Sequence, residues 1–149
     1  MTEREMLEAA ARAMGLQQTG WLDGHEPMQA VLVADGDYQR LWNPLNDGAQ
    51  ALDLAAALRI SVEHNHPADN HPWVCASVDG YVGRGQQFVE DVPDESQRAD
   101  RMRLAILRCA AAQALAMGAE TAENGSKAAG NGVDAGFHRG RGVAPKEQA

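Results

Sequence analysis

Apolar positions recur at helical spacing through the first fourteen residues. Met6, Leu7, Ala10, Ala13 and Met14 fall on one side, and Glu3, Arg4, Glu8 and Arg12 are left for water. Thr2 with Glu5 three residues on is a capping box, so the helix starts at once. Gly15 stands where a left-handed residue would end it. Residues 16–28 carry no clear period: Trp21-Leu22 reads as a short strand or a hydrophobic clasp before a polar loop. Gln29 to Ala34 reads as a strand, Asp35-Gly36 as a two-residue hairpin turn, and Asp37 to Trp42 as the returning strand. On that strand Tyr38, Arg40 and Trp42 share one face, with Gln39 and Leu41 on the other.

The next stretch is the most locally determined in the chain. Pro44 removes a backbone donor and forces Asn43 out of helical geometry, so the strand ends there. Asp47 is placed to cap a helix, with Gln50 in the box position three residues later. Ala51, Leu52, Ala55 and Leu58 form its expected buried stripe, widened by Leu54. Ile60 and Val62 then alternate with Arg59, Ser61 and Glu63, so the period switches from 3.6 to 2 almost without a loop.

A polar loop with two prolines, residues 64–72, leads to a strand over 73–78. Asp79-Gly80 signals a second hairpin with Tyr81-Val82 as its return; Gly83-Arg84-Gly85 interrupts it, and residues 86–90 resume pairing. Glu90, Asp91, Asp94 and Glu95 gather before a long helix expected from about Ser96 to Met117, ended by Gly118. Its second half is apolar enough to pack on more than one side, by the sheet and by a partner, which would make it a route to a homo-oligomer. From residue 119 periodicity dissolves into a glycine-rich, charge-balanced segment that reads as a disordered tail. The expected organisation is a compact domain over 1–118 and a tail over 119–149. The element order α-β-β-α-β-β-β-α, with mixed runs, favours an α+β fold on a largely antiparallel sheet with three helices.

Composition narrows the function classes. At 149 residues and 44% apolar content, the chain is long enough for one domain with a real core. The net charge of −8 opposes nonspecific binding to nucleic acid or anionic lipid, because phosphate neutralisation needs clustered Lys and Arg. No apolar run approaches a membrane span, and the opening residues lack a signal-peptide pattern, so a cytoplasmic location is expected. Cys75 and Cys109 have no metal-like spacing and read as buried free thiols.

Three blocks carry a family resemblance. Trp42-Asn43-Pro44-Leu45-Asn46-Asp47 with Ala51-Leu52-Asp53-Leu54-Ala55 and Leu58, the opening Glu3 to Ala10 followed by Gly15, and Arg103 to Ala111 together resemble the phage ABA sandwich domain family over roughly residues 3–117. The resemblance implies an α-β-α layered sandwich encoded by a bacteriophage or prophage, working in the host bacterial cytoplasm, and implies no particular activity.

Candidate chemistry is sparse. His64, His66 and His71 with Asp69 offer imidazole and carboxylate groups suited to zinc or manganese, and residues alternating at a strand end can converge. The enzyme alternative is a metal-dependent hydrolase built on these four; the bland reading is a solvated histidine-rich loop. Tyr38, Arg40 and Trp42 with Asn43 could form an aromatic–cationic patch for a protein partner. Against that, Trp42 can simply pack beneath a helix. Arg98, Arg101 and Arg108 are best read as pairing with the acidic cluster at 90–95 or facing water. No cofactor is called for. The expected function is a non-catalytic module that binds a host or phage protein, with host machinery or a host defence system as the class of target.

Overall fold

The computed structural model describes residues 1–23, 29–78 and 86–139; side chains are described to residue 118, apart from those of Asp23 and Gln29. The elements run α1 (Glu3–Ala13), β1 (Gln18–Asp23), β2 (Gln29–Asp35), β3 (Tyr38–Trp42), α2 (Gly48–Leu58), β4 (Ser61–His64), β5 (Trp73–Ser77), β6 (Gln87–Asp91), a 3-10 turn (Glu95–Gln97) and α3 (Arg98–Arg139). The fold is α+β, and its described strands form two three-stranded antiparallel sheets, β1-β2-β3 and β4-β5-β6. The chain divides into two units at Leu115/Ala116. The first holds the six described strands, α1, α2 and the start of α3; the second holds the rest of α3.

Local codes explain most boundaries. The Thr2 hydroxyl accepts from the Glu5 amide at 3.2 Å, and the Glu5 carboxylate accepts from the Thr2 amide at 2.6 Å. That bonding holds the Glu5 carboxyl below the usual glutamate range. At the other end of α1, Gly15 takes φ 74°, and the amides of Gly15 and Leu16 return to the carbonyls of Arg12 and Ala11. This is a Schellman closure. In the first hairpin Asp35 pairs with Tyr38, so the turn residues are Gly36 and Asp37, one place later than expected; Gly36 supplies the positive φ of 61°.

Two elements differ from the sequence reading. Residues 18–23 form a full strand, pairing Trp21 with Val31 and Leu22 with Ala30. A register shift between Gln18 and Gly20 breaks the alternation that would have revealed it. α3 also runs on as helical backbone beyond Gly118, where its end was expected, to Arg139. A glycine inside a helix costs about 1 kcal/mol, which disfavours the helix without stopping it. The rest of the expected tail, 140–149, lies outside the described residues, as does the expected Asp79-Gly80 turn with its Tyr81-Val82 return.

One core joins both sheets. Leu7, Ala10 and Ala11 of α1, Val31 and Val33 of β2, Trp42, Ala51 and Leu54 of α2, Ala76 of β5, and Ala105 to Leu107 with Cys109 and Ala110 of α3 form one buried cluster. Trp42 is the largest fully buried side chain, and replacing such a residue with Ala typically costs about 3–5 kcal/mol. Leu52, expected in the buried stripe, is instead 61% exposed. α2 packs on the core through Ala51, Leu54 and Ala55, and Leu52 lies off that face.

The β3–α2 junction is tied by side chains. The Asn43 carboxamide oxygen accepts from the Leu45 amide at 2.9 Å, closing a turn around the buried Pro44. Asp47 caps α2 by accepting from the Gln50 amide at 3.1 Å. Gln50 does not complete a capping box. Its oxygen accepts from the Asn43 amide at 2.7 Å, and its nitrogen donates to the Leu41 carbonyl at 3.2 Å. Gln50→Ala should therefore lower unfolding free energy by about 1–3 kcal/mol, since it strips partners from two backbone groups at a part-buried junction. Urea denaturation of Gln50→Ala beside Gln50→Glu, which keeps the acceptor and loses the donor, measures the effect; the Glu variant should fall between Ala and the native chain.

Candidate functional site

The loop after β4 is organised by one guanidinium. Arg98 opens α3, and the preceding 3-10 turn brings Glu95 against it in a two-point pair at 2.7 and 2.8 Å. The same guanidinium donates to the Trp73 carbonyl at 3.1 Å, the Asn65 side-chain oxygen at 2.8 Å and His64 Nδ1 at 3.1 Å. Asn65 accepts the Trp73 amide through its side chain and donates its own amide to the Trp73 carbonyl. Arg98 thereby joins β4, β5 and the start of α3 at one end of the second sheet. Hydrogen bonding to Glu95 raises the guanidinium's affinity for its proton and holds the Glu95 carboxyl below the usual range.

The four residues considered as metal ligands are not gathered. His64 Nδ1 faces Arg98, whose N–H can only donate, so that nitrogen is an acceptor. His66 Nδ1 accepts the Ala68 amide at 3.1 Å. Asp69 is beside His66, but its carboxylate takes the His66 amide at 3.0 Å. His71 leaves the loop altogether and donates to Asp91 on β6 at 3.0 Å. Among the described residues no three His, Cys, Asp or Glu side chains are grouped so as to hold a metal ion. The proximity in sequence was real; the ring directions differ because each ring serves a different backbone or side-chain partner.

The Tyr38–Arg40–Trp42 face also separates. It is the inward face of β3, and Trp42 lies in the core, 1% exposed. Tyr38, 80% exposed, and Arg40, which reaches Asp35 at 3.9 Å, lie on the surface beyond the core's edge. No three-residue patch exists there.

The other face of the first sheet was not anticipated. Register puts Gly20 beside Leu32 and Leu32 beside Leu41, with Leu22 beside Ala30 and Ala34 beside Gln39. These positions point away from Val31, Val33 and Trp42, the core-facing set. Leu22 is 46% and Leu41 48% exposed, and Leu32 between them is half-buried. No charged residue occurs among these seven. One signal for this face was present: residues 30–34 are continuously apolar, which marks a strand apolar on both faces.

The remaining candidates are structural. Arg108 pairs with Glu90 and lies 5.5 Å from the Phe88 ring centroid, and Arg103 donates to the Leu45 carbonyl at 2.7 Å. Trp21 donates to Glu8 at 2.7 Å while Arg4 covers its ring, which clamps β1 to α1. Cys75 and Cys109 are buried and form no disulfide, and burial pushes the Cys109 thiol up. No helix among the described residues is long and apolar enough to cross a membrane.

Compared with known family models, curated proteins and solved structures, the chain matches none. The resemblance to the phage sandwich family rests on its three sequence blocks alone.

The Arg98–Glu95 pair sets a pH dependence with a definite sign. A carboxyl whose folded-state pKa is depressed adds stability above its unfolded value, near pH 4, and loses it as pH falls through the lower folded value. Glu95→Gln should thus melt below the native chain at pH 7, with the gap closing in acid below about pH 4. Thermal melts of both proteins at stepped pH check this; a gap that stays constant into acid would exclude the pair as its source.

Proposed function

We propose that this chain is a small bacteriophage or prophage accessory protein, a non-catalytic module that binds a host or phage protein through the outer face of its first sheet. The observation that carries the reading is the Leu22–Leu32–Leu41 surface. Solvent-facing sheet surfaces normally alternate to polar residues, whereas this one presents Leu22 and Leu41 on either side of the half-buried Leu32, with Gly20 and Ala34 beside them. Contiguous exposed apolar surface of this kind marks interaction sites more often than isolated leucines do. An uncharged face built on paired strands costs less to order on binding than a loop would.

The site calls for a partner with an apolar surface, and the acidic remainder of the chain favours a partner with basic residues around that contact. In the host bacterial cytoplasm such a contact could modulate host machinery or a defence system. The histidine loop lends the metal-dependent hydrolase alternative no support, because among the described residues no three His, Cys, Asp or Glu side chains are grouped so as to hold a metal ion.

The paired substitution Leu22→Glu with Leu41→Glu tests the face directly. Both positions are exposed, so the variant should keep native circular dichroism. It should bind less of an apolar-surface dye than the native chain and should fail to retain a host protein that the native chain retains from bacterial lysate. Equal dye binding, or equal retention by the variant, would reject the face as the binding site.

A further inference from the structure

A strand at the edge of a sheet carries a row of backbone N–H and C=O groups that its own sheet leaves unpaired. The described strands present four such edges, and three are obstructed or short. β1 is broken by the register shift between Gln18 and Gly20. β3 has its Leu41 carbonyl and Asn43 amide taken by the Gln50 carboxamide. β4 is four residues long, and the Asn65 amide that follows it donates to the Trp73 carbonyl. Ladder bonds alternate along an antiparallel pair, so Glu63 and Ser61 also turn to β5, and only Val62 and His64 turn outward.

β6 differs. Its five residues pair with β5 in unbroken register. The Val92 amide, next in that register, donates to the Pro72 carbonyl at 3.0 Å. By the same alternation Glu90 and Phe88 bond to β5, and Gln87, Val89 and Asp91 turn their backbone groups to the edge. Among the described residues no group meets them there. The side chains of these three residues share the face away from α3, since Phe88 and Glu90 meet Arg108 on the other. Val89, at their centre, is half exposed.

We propose that the edge of β6 accepts an extended, basic segment of a partner protein as an added strand, bonded through its main chain to Gln87, Val89 and Asp91. Charge selects this occupant. Residues 85–97 contain Glu90, Asp91, Asp94 and Glu95 and no Lys or Arg. Glu90 is engaged by Arg108, which leaves Asp91 as the carboxylate on the strand that an incoming cation meets. His71 donates to one Asp91 oxygen, and the other has no partner among the described residues. Opposite charges on neighbouring strands attract and like charges repel, so a second copy of this acidic strand fits less well than a basic one. In whichever direction the added strand runs, the positions facing Val89 and Asp91 are two apart. The segment therefore carries an apolar residue and, two positions away, a Lys or Arg; the main chain supplies affinity and these side chains specificity. The edge belongs to the second sheet, so the proposal does not depend on the leucine face of the first.

Amide exchange measured by nuclear magnetic resonance on the full chain provides the test. The probe is the peptide acetyl-Thr-Lys-Thr-Val-Thr-Lys-Thr-amide, which presents Lys, Val and Lys on one face in either direction. In large excess it should slow exchange of the Gln87, Val89 and Asp91 amides several-fold, while Phe88 and Glu90, already bonded to β5, change little. The same peptide with Glu for Lys should protect far less. Val89→Pro removes an outward amide that β5 does not use, as an edge strand tolerates, so native circular dichroism should persist while protection at Gln87 and Asp91 is lost. Asp91→Lys, an exposed change with no backbone constraint, should reverse the preference between the two peptides. The Leu22→Glu with Leu41→Glu variant should respond as the native chain does. Absence of the alternating protection, equal protection by both peptides, or indifference to Val89→Pro and Asp91→Lys would overturn the proposal. So would loss of the response in the leucine variant. Protection that grows with chain concentration without peptide would make a second copy the occupant and overturn the basic segment.

Discussion

A core rich in alanine brings short side chains to face one another, and a large group is needed to fill the space they leave. Trp42 supplies it. Its burial at the end of β3 places the indole where α1, β2, α2 and α3 contribute to a single cluster. The position of that ring depends on the backbone just after it. Asn43 closes a turn over Pro44, and the Gln50 carboxamide holds both Leu41 and Asn43. The direction of α2, and through it the start of the second sheet, follows from how β3 is stopped.

The features legible in the sequence are those with a local code. The Thr2–Glu5 box, the Gly15 closure, the Pro44 turn and the Asp47 cap each involve residues within a few positions of one another, so their partners are known before the fold is. The misreadings are cases where the deciding partner is distant. β1 is a strand because β2 pairs with it, while its own residues lose alternation at the bulge. Leu52 and Leu54 are equally apolar and only two positions apart, and only the packing of α2 on the core decides that Leu54 is buried and Leu52 exposed. Gly118 was a sound stop signal whose cost the helix absorbs.

The candidate sites divide along the same line. Histidines at 64, 66 and 71 are conspicuous in a sequence, yet the directions of the His64 and His71 rings are set by Arg98 and Asp91, which lie 34 and 20 residues from their partners. The acidic residues at 90–95 could be read as a helix-start preference or as partners for arginine. The second reading holds for Glu95 with Arg98 and Glu90 with Arg108. The outer leucine face needed the register of three strands, since Leu22, Leu32 and Leu41 are evenly spread along the chain and meet only across β1, β2 and β3.

What results is a division of labour between polar and apolar surface that runs against the usual expectation. The polar groups that looked chemical are absorbed into structural contacts: His64 with Arg98 of α3, His66 and Asp69 within their own turn, and His71 with Asp91 of β6. The uncovered surface with most to gain from a partner is the apolar back of the first sheet. Burying a half-exposed leucine is worth on the order of 1 kcal/mol, so three adjacent leucines give a partner a useful gain only if it reaches all of them together. A sheet of defined register offers them at fixed spacing, whereas a loop would have to be ordered first. That geometric argument, more than any single residue, is why we propose the outer face of β1-β2-β3 as the binding surface.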